Sequence, residues 1–433
     1  MPKSKLENLP IELRAQILLQ LPDLQSLDGI ARSSTALHQA YRLVRQEALP
    51  KVLQRNYGGL VDITEAIAAV RSRKFHGTRR SDRERIIALL DDRRRNKEIR
   101  CLGKRSRATQ PLPDQPVDLN EVRDLLRLHE IAIWILNDYS QNAPCPFWID
   151  GISWSTHILP LKLSKNEKKR YYRAFYRLQT FCNLFGNIEN PVDSPNSSNW
   201  LSWNHGKQAF TEEEIWKFFF GTFAPWECEE FAGLWRYCHH RNGEVYAKVT
   251  NDLEQYGPNE NGDLPARLKS IVLPSCSLLD TDDLRMYRSH YRQALASFGP
   301  TFLYKLLRDD DFTTQRNMLY ANSCGGLPYY PQSLQRDYET VYPLIYPADR
   351  FNFGMDWEGL QIFLSTLPEI EKPNLSWVET WLNQMEEDEP LYEEMFETGV
   401  DCRRWAWAYA LWDDGRLREW EAKWGAPLRD FGG

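Results

Sequence analysis

Two cysteines and two histidines that lie close together are the first residues whose types could bind a metal ion. Cys228, Cys238, His239 and His240 fall within 13 residues and include two of the side-chain types that ligate zinc. Their spacing matches no standard zinc finger, and adjacent histidines on a helix point to different sides. The pattern therefore predicts buried thiols beside surface histidines, with neither a metal site nor a cofactor.

Single cysteines and a group of aspartates are the other residues with catalytic potential. Cys145 lies between two prolines and Cys182 lies among aromatic residues, but neither occurs in a known nucleophile signature. Asp280, Asp282 and Asp283 fit the first turn of a helix better than a metal site, because acidic groups there face free backbone N–H groups. No glycine-rich loop follows the phosphate-binding pattern. We therefore expect no catalytic residues and no enzyme activity.

The elements that position these residues must be built from an aromatic-rich chain. The 433 residues include 16 Trp, 20 Tyr and 19 Phe, most of them after residue 130, so the C-terminal part should own a large core. The net charge of −6 gives no global basic field, so nucleic acid is not an expected partner. Residues 71–107 contain 15 basic and 5 acidic side chains, whereas residues 369–401 contain 11 acidic and one basic. We interpret both stretches as solvated faces.

The sequence carries no sign of secretion or membrane insertion. It begins Met-Pro-Lys-Ser-Lys, with no apolar stretch behind these residues. The longest apolar run, Trp405–Trp412, is far shorter than the roughly 20 residues of a membrane helix. Eight cysteines are scattered without any Cys-x-x-Cys pair, which is typical of reduced thiols. We expect a soluble protein of the cytoplasm, the nucleus or both, with no membrane partner.

Three short amphipathic helices are predicted within the first fifty residues. The apolar positions of the first helix recur every four residues: Leu9, Leu13, Ile17 and Leu21. Pro10 lies in its first turn, where the missing N–H costs nothing. Breaks at Pro22-Asp23 and at Ser33-Ser34-Thr35 separate a second and a third helix. So short a segment cannot bury its own apolar stripes, and it must pack on the rest of the protein or on a partner.

Further helices are predicted along the remaining chain. Periodicity places them at residues 63–70, 81–99 and 118–138, with a proline-containing linker over 101–120. Capping boxes are predicted at Ser164/Glu167, Thr211/Glu214 and Ser376/Glu379, and Gly186 is placed to end the first of these helices. The segment Trp405–Trp412 is predicted to form a helix that packs in the core.

The N-terminal pattern resembles the F-box of fungal proteins. The resemblance is carried by Leu9-Pro10-x-Glu12-Leu13, by Ile17-Leu18-x-x-Leu21-Pro22-Asp23-Leu24-x-Ser26-Leu27, and by Ser33-Ser34-x-x-Leu37-His38-x-Ala40-Tyr41. This spacing extends over about 35 residues, which seldom arises by chance. Many animal F-boxes carry a Trp in the third helix where this chain has Leu37-His38, so adaptor contacts there should differ.

Later segments resemble large fungal F-box proteins with one helical C-terminal region. They are Leu163-Ser164, Tyr172–Arg177, Phe181–Gly186, Phe302–Arg308 and Trp405–Leu417. The resemblance implies a mainly α fold in which residues 1–50 form a three-helix F-box and residues 51–117 a basic helical segment and linker. Residues 118–433 would form a large aromatic-rich α-helical domain that receives the substrate. A fragment that begins near Asp118 is then expected to be soluble and helical alone.

The function that the resemblance implies is that of a substrate receptor in an SCF-type cullin-RING ubiquitin ligase. The N-terminal helices would bind a groove of a Skp-type adaptor, which bridges to a cullin and its RING subunit. The C-terminal domain would hold an unknown protein substrate close to the site of ubiquitin transfer. The adaptor contacts implied in this way are Leu9, Pro10, Leu13, Ile17, Leu18, Leu21, Leu24, Leu27 and Ile30.

Two alternatives stay open at this point. An F-box protein can bind the adaptor outside a ligase, as a scaffold or regulator, and only co-purification of the cullin separates the two roles. An enzyme or nucleic-acid binder with an F-box-like cap would instead show activity, or salt-dependent RNA or DNA binding, without the adaptor.

Overall fold

The computed structural model describes residues 6–102, 115–192, 209–211, 214–215, 218–254, 292–322, 357–379 and 406–425. Within these ranges the regular structure is helical and no strand occurs, so the mainly α fold is confirmed. None of the helices in this part of the chain combines the length and the apolar character that crossing a bilayer demands.

The described ranges contain twelve helices of nine or more residues. They are α1 (Ile11–Leu19), α2 (Leu24–Ser33), α3 (Thr35–Tyr57), α4 (Ile63–Ser72), α5 (Arg83–Leu102), α6 (Leu119–Asn142), α7 (Lys165–Phe185), α8 (Pro225–Glu254), α9 (Pro300–Arg308), α10 (Phe312–Ala321), α11 (Trp357–Thr366) and α12 (Asp414–Trp424). Short single-turn segments, among them Trp154–Ile158, Leu375–Trp377 and Tyr409–Leu411, connect them.

The breaks predicted at Pro22-Asp23 and at Ser33-Ser34-Thr35 each supply the cap of the helix that follows. The Asp23 carboxylate accepts a hydrogen bond from the Ser26 N–H at 2.6 Å, and the Ser34 hydroxyl accepts one from the Leu37 N–H at 3.3 Å. These bonds satisfy free N–H groups at the starts of α2 and α3. Helix α3 then continues through Pro50 to Tyr57, so the predicted domain boundary at residue 50 falls inside a continuous helix.

Helix α1 is fixed to α3 by an arginine near the end of α3. The Arg55 guanidinium donates hydrogen bonds to the backbone oxygens of Leu19 and Leu21, each at 2.8 Å. These carbonyls lie at the C-terminal end of α1, where the last turn of a helix leaves its acceptors free. Arg55 therefore closes the end of α1 against α3.

The capping predictions hold for α7 and fail near residue 376. Ser164 and Glu167 form a reciprocal capping box before α7, which ends at Gly186 as predicted. Thr211 and Glu214 exchange the same pair of bonds. Ser376, however, lies inside the turn Leu375–Trp377, whose cap is Asn374.

Asn374 replaces Ser376 as the cap because of contacts that are distant in sequence. Its side-chain oxygen accepts from the Trp377 N–H at 3.0 Å, and its side-chain nitrogen donates to the backbone oxygens of Tyr409 and Trp412 at 2.6 and 3.0 Å. Those carbonyls belong to the tryptophan-rich segment, so one asparagine both caps a helical turn and fixes a loop about 35 residues away.

The described part of the tryptophan-rich segment, residues 406–412, packs in the core as predicted, but it does not form one continuous helix. Trp407 and Trp412 are buried, and the chain turns at Ala408, whose φ of 53° lies in the left-handed region. The turn lies against α8 at Gly233, where an added Cβ would come within 2.9 Å of the Ala408 Cβ. Close approach to α8 therefore outweighs the helical preference of alternating Trp and Ala.

One hydrophobic cluster extends from α1 to α12 and includes residues of α3, α4 and α5. Around Phe181 of α7 the rings of five residues lie with centroids within 6.5 Å: Phe185, Phe219, Phe220, Phe231 and Trp235. Edge-to-face and tilted contacts of this kind suit the ring quadrupoles. Residues 51–100 thus contribute side chains to the same core as the C-terminal helices.

A buried ion-pair network crosses this core. Arg177 of α7 lies 2.9 Å from Glu65 of α4 and 3.1 Å from Glu227 of α8. Arg93 of α5 lies 3.7 Å from Glu65, and Arg173 lies 3.1 Å from Glu227. Buried charges must be paired, because desolvation of an isolated ion is costly. Four helices, two of them before residue 118, are therefore joined by one set of charges; we call it the core charge network.

Candidate functional site

The nine predicted adaptor contacts divide into exposed and buried side chains. Pro10 is exposed and Leu13 is 50% exposed on α1, whereas Leu18 is fully buried. Four of the predicted contacts are partly buried: Leu9, Ile17, Leu21 and Ile30. Leu24 and Leu27 are buried in the same core as Leu18, so these three side chains face the interior of the chain.

Helical periodicity explains how α1 comes to have two apolar faces. Leu18 and Leu19 pack toward α3, and Leu13 precedes Leu18 by five residues, which is about 140° around the helix axis. Leu13 therefore points away from the core and toward solvent. We call Pro10 and Leu13, with the partly buried Leu9 and Ile17, the α1 face.

Two further exposed leucines were not predicted. Leu6 is 42% exposed and Leu43, on α3, is 68% exposed. Leu43 lies off the stripe of Leu37, Ala40 and Tyr41 that α3 buries. An apolar residue outside the buried stripe of an amphipathic helix is the signal that would have found it.

Helices α1 to α3 are fixed to the C-terminal part by hydrogen bonds to α6. The Tyr57 hydroxyl donates to the Leu125 backbone oxygen at 2.8 Å, and Arg123 donates to the Tyr41 hydroxyl at 3.0 Å. The Tyr176 hydroxyl of α7 lies 3.3 Å from that of Tyr57. The α1 face therefore has a set orientation relative to the aromatic core.

His129 of α6 lies in the same buried contact. Its Nδ1 is 2.9 Å from the Tyr176 hydroxyl, and its ring packs on those of Tyr57 and Tyr172. Burial lowers the pKa of His129 to about 4, and a hydrogen bond with the Asn56 backbone offsets only part of this effect. The imidazole is therefore neutral in the folded protein at neutral pH.

The lowered pKa of His129 predicts a loss of stability in mild acid. Below pH 6.5 the unfolded chain binds a proton at this residue, and the folded chain does not until about pH 4, so stability falls as pH falls through this window. Between pH 7 and pH 5 we expect a loss of about 2 kcal/mol from this group. Denaturant unfolding at both pH values measures it.

The matched variants isolate the contribution of His129. His129→Gln should shrink the difference in unfolding free energy between pH 7 and pH 5, whereas His38→Gln, at an exposed position, should leave the difference as in the parent protein. An unchanged difference in His129→Gln would contradict the assignment.

The candidate nucleophiles and metal ligands do not form a reactive centre in the described part of the chain. Desolvation raises the pKa of the Cys145, Cys182 and Cys238 thiols, so these groups are protonated at neutral pH. His240 is exposed and pairs with Glu244 at 3.3 Å. Within the described ranges, no group of three or more metal-ligating side chains comes together. Asp280, Asp282 and Asp283 lie outside these ranges.

The basic stretch pairs with acids that lie elsewhere in the chain. Arg71 contacts Glu121 at 2.6 Å, Arg83 makes a two-pronged contact with Glu214, and Arg93 belongs to the core charge network. These arginines are structural, which corrects the interpretation of the whole stretch as a solvated face. Most of the acidic stretch, residues 380–401, lies outside the described ranges.

No protein-family model, no curated protein and no solved structure matches this chain.

Proposed function

We propose that this protein is a substrate-receptor subunit of an SCF-type cullin-RING ubiquitin ligase. The observation that supports the proposal is the α1 face, because apolar side chains at F-box-like spacing are exposed there while the opposite side of α1 is buried. A helix with one face in its own core and a second apolar face in solvent is suited to bind a groove of a partner. That partner is a Skp-type adaptor, which links to the cullin and RING subunits.

The contact surface in this proposal is smaller than the nine residues that the resemblance implies. Leu18, Leu24 and Leu27 support the fold from inside, and the partly buried Leu21 and Ile30 pack against the same core. The α1 face, made of Pro10, Leu13, Leu9 and Ile17, remains available to the adaptor. Interface energy concentrates in a few well-buried anchors, so Leu13 is the central contact.

The role of the whole chain in this proposal is mechanical and non-catalytic. The α1 face anchors the chain to the ligase, and the rigid contact of Tyr57 with α6 sets where the C-terminal helices point. A substrate held by those helices gains a high effective concentration next to the ubiquitin-charged enzyme of the complex. The compartment would be the cytoplasm, the nucleus or both.

Replacing Leu13 with aspartate is expected to abolish binding of the adaptor. The change puts a charge into an apolar groove, where desolvation without a partner is unfavourable by several kcal/mol. Because Leu13 is half exposed in the free protein, folding should hardly change. A pull-down with a recombinant fungal Skp-type adaptor, together with a thermal melt, measures both effects.

The matched control for Leu13→Asp is Ile362→Asp. Ile362, on α11, is 70% exposed and lies far from α1 in sequence, so the same kind of change there should leave adaptor binding intact. Adaptor binding that survives Leu13→Asp would refute the proposed contact.

A further inference from the structure

A pocket of about 720 Å³ lies between residues 157–167 and helix α12. Its volume is in the range that ligand-binding pockets of proteins occupy. Side chains at its wall and mouth include His157, Lys162, Arg416, Trp420, Lys423 and Trp424. The pocket lies in the part of the chain that the proposed function assigns to substrate binding.

Two of the three acidic groups that line the pocket, Glu167 and Asp413, are already neutralised. Glu167 accepts hydrogen bonds from the Ser164 and Asp413 N–H groups at 2.8 and 3.1 Å, and from Arg416 Nε and Nη2 at 2.6 and 2.8 Å. The Asp413 carboxylate lies 2.9 Å from Arg170 and accepts a hydrogen bond from the Ser164 hydroxyl. Both carboxylates therefore have little capacity left for a ligand cation.

The groups that remain at the pocket are mainly cationic. Lys162, Lys423 and His157 are exposed, and the opposing exposed acid is Glu419. Arg416 donates hydrogen bonds from Nε and Nη2 to the Glu167 carboxylate, and from Nη2 to the Lys162 backbone oxygen. Within the described part of the chain, Arg416 Nη1 donates no hydrogen bond. Two lysines against one glutamate leave one excess positive charge.

The walls of the pocket are apolar next to these charges. Trp420 is buried against the Trp412 ring, and Trp424 has the Lys423 ammonium 4.4 Å above its ring. Ile158 and Leu159 line the opposite side. A ligand that fits must combine one negative charge with an apolar group, because both kinds of surface meet in one space.

We propose that this pocket binds a peptide carboxylate that is flanked by an apolar side chain, and that it is where the substrate is recognised. The excess of one positive charge matches a singly charged carboxylate better than a doubly charged phosphate. The free Nη1 edge of Arg416 and the Lys162 ammonium would bind the carboxylate. The half-buried Trp424 and Ile158 would contact the apolar side chain. The assignment to substrate rests on the proposed function, whereas the peptide-binding chemistry does not.

The test uses three fluorescein-labelled synthetic nonapeptides with one common leucine-containing sequence. The first has glutamate beside the leucine and an amidated end; the second has glutamine there and a free C-terminal carboxylate; the third has glutamine and an amidated end. Fluorescence anisotropy with the full-length protein should show binding of the first or the second peptide, at least tenfold tighter than the third. Which of the two binds identifies the source of the carboxylate.

Charge reversal at the mouth of the pocket tests whether the peptide binds in this pocket. Lys162→Glu with Lys423→Glu should weaken binding of the preferred peptide by about tenfold or more, since two attractive contacts become repulsive. The control, Lys165→Glu with Arg418→Glu, changes two exposed cations on the neighbouring helices that do not line the pocket, and it should retain binding.

Three results would overturn the proposal: no binding of any peptide up to 1 mM, equal binding of all three, or equal weakening by both double variants. An adaptor pull-down with each variant tests the proposed function independently of peptide binding. A variant that loses peptide binding but still binds the adaptor has a defect in the pocket alone. If Leu13→Asp loses adaptor binding but still binds the peptide, the defect lies in the α1 face alone.

Discussion

Replacing Arg177 with methionine is expected to lower the free energy of unfolding by about 3–5 kcal/mol. Arg177 is 2% exposed and lies within 3.1 Å of carboxylate oxygens of Glu65 and Glu227, with its guanidinium 4.2 Å from the centre of the Phe223 ring. Arg173 also pairs with the buried Glu230 at 2.5 Å, so with Glu230 the core charge network counts three arginines and three glutamates. Methionine keeps most of the volume of Arg177 but removes its charge, which leaves the network with one negative charge in excess.

The neighbouring cations limit but do not cancel this loss. Arg93 stays 3.7 Å from Glu65, and Arg173 stays 3.1 Å from Glu227, so neither carboxylate becomes wholly isolated. Chemical denaturation of the full-length protein measures the effect. The matched control is Arg418→Met, the same change at an exposed position, which should alter stability by no more than about 0.5 kcal/mol. Similar small losses in both variants would contradict the importance of the network.

A fragment of residues 118–433 is expected to aggregate, contrary to the expectation from the sequence alone. The fragment lacks Tyr57, Glu65, Ile67 and Arg93, all of which are buried against the C-terminal helices. Without α4 and α5 the apolar surface that they cover is exposed, and the buried Arg177 loses Glu65, one of its two carboxylate partners. Size-exclusion chromatography of the fragment beside the full-length protein measures the outcome.

A co-expression experiment supplies the control for the fragment. Residues 1–117 provided as a separate chain should restore a soluble complex, because the missing surfaces are then covered again. A monomeric, helical fragment of residues 118–433 without that partner would show that residues 51–100 are dispensable for the C-terminal core and would support a boundary near residue 118.

Local chemistry made much of the fold predictable. The caps at Asp23 and Ser34, the capping box of Ser164 with Glu167, and the end of α7 at Gly186 all depend on residues within a few positions of each other. Such hydrogen bonds form wherever the right side chain precedes a helical stretch, so spacing in the sequence is enough to find them.

What could not be predicted depends on contacts between distant residues. Asn374 displaces Ser376 as a cap because it also holds Tyr409 and Trp412, and the turn at Ala408 exists because α8 passes close by. The core charge network pairs Glu65 with Arg177, which is 112 positions further along the chain. The residue pattern around Glu65 does not indicate that Arg177 is its partner, nor does the pattern around Arg177 indicate Glu65. Such pairing is decided by how whole helices pack.

The sequence marks the apolar stripe of the first helix but not how that stripe divides between core and solvent. A period of four marks Leu9, Leu13, Ile17 and Leu21 as one apolar stripe, yet it does not say whether α3 or a partner covers it. The structure shows Leu18 covered within the chain and Leu13 half exposed. The pocket beside α12 was not predicted at all, because its walls come from segments about 250 residues apart.

The measurement that tests the central claim most directly is reconstitution with purified subunits. The full-length protein is mixed with a Skp-type adaptor and a cullin–RING pair, and the mixture is separated by size-exclusion chromatography. We predict that all four chains elute together and that the Leu13→Asp variant elutes alone. Elution of the unaltered protein apart from the adaptor would contradict the claim, and elution with the adaptor but without the cullin would favour the scaffold role over the ligase role.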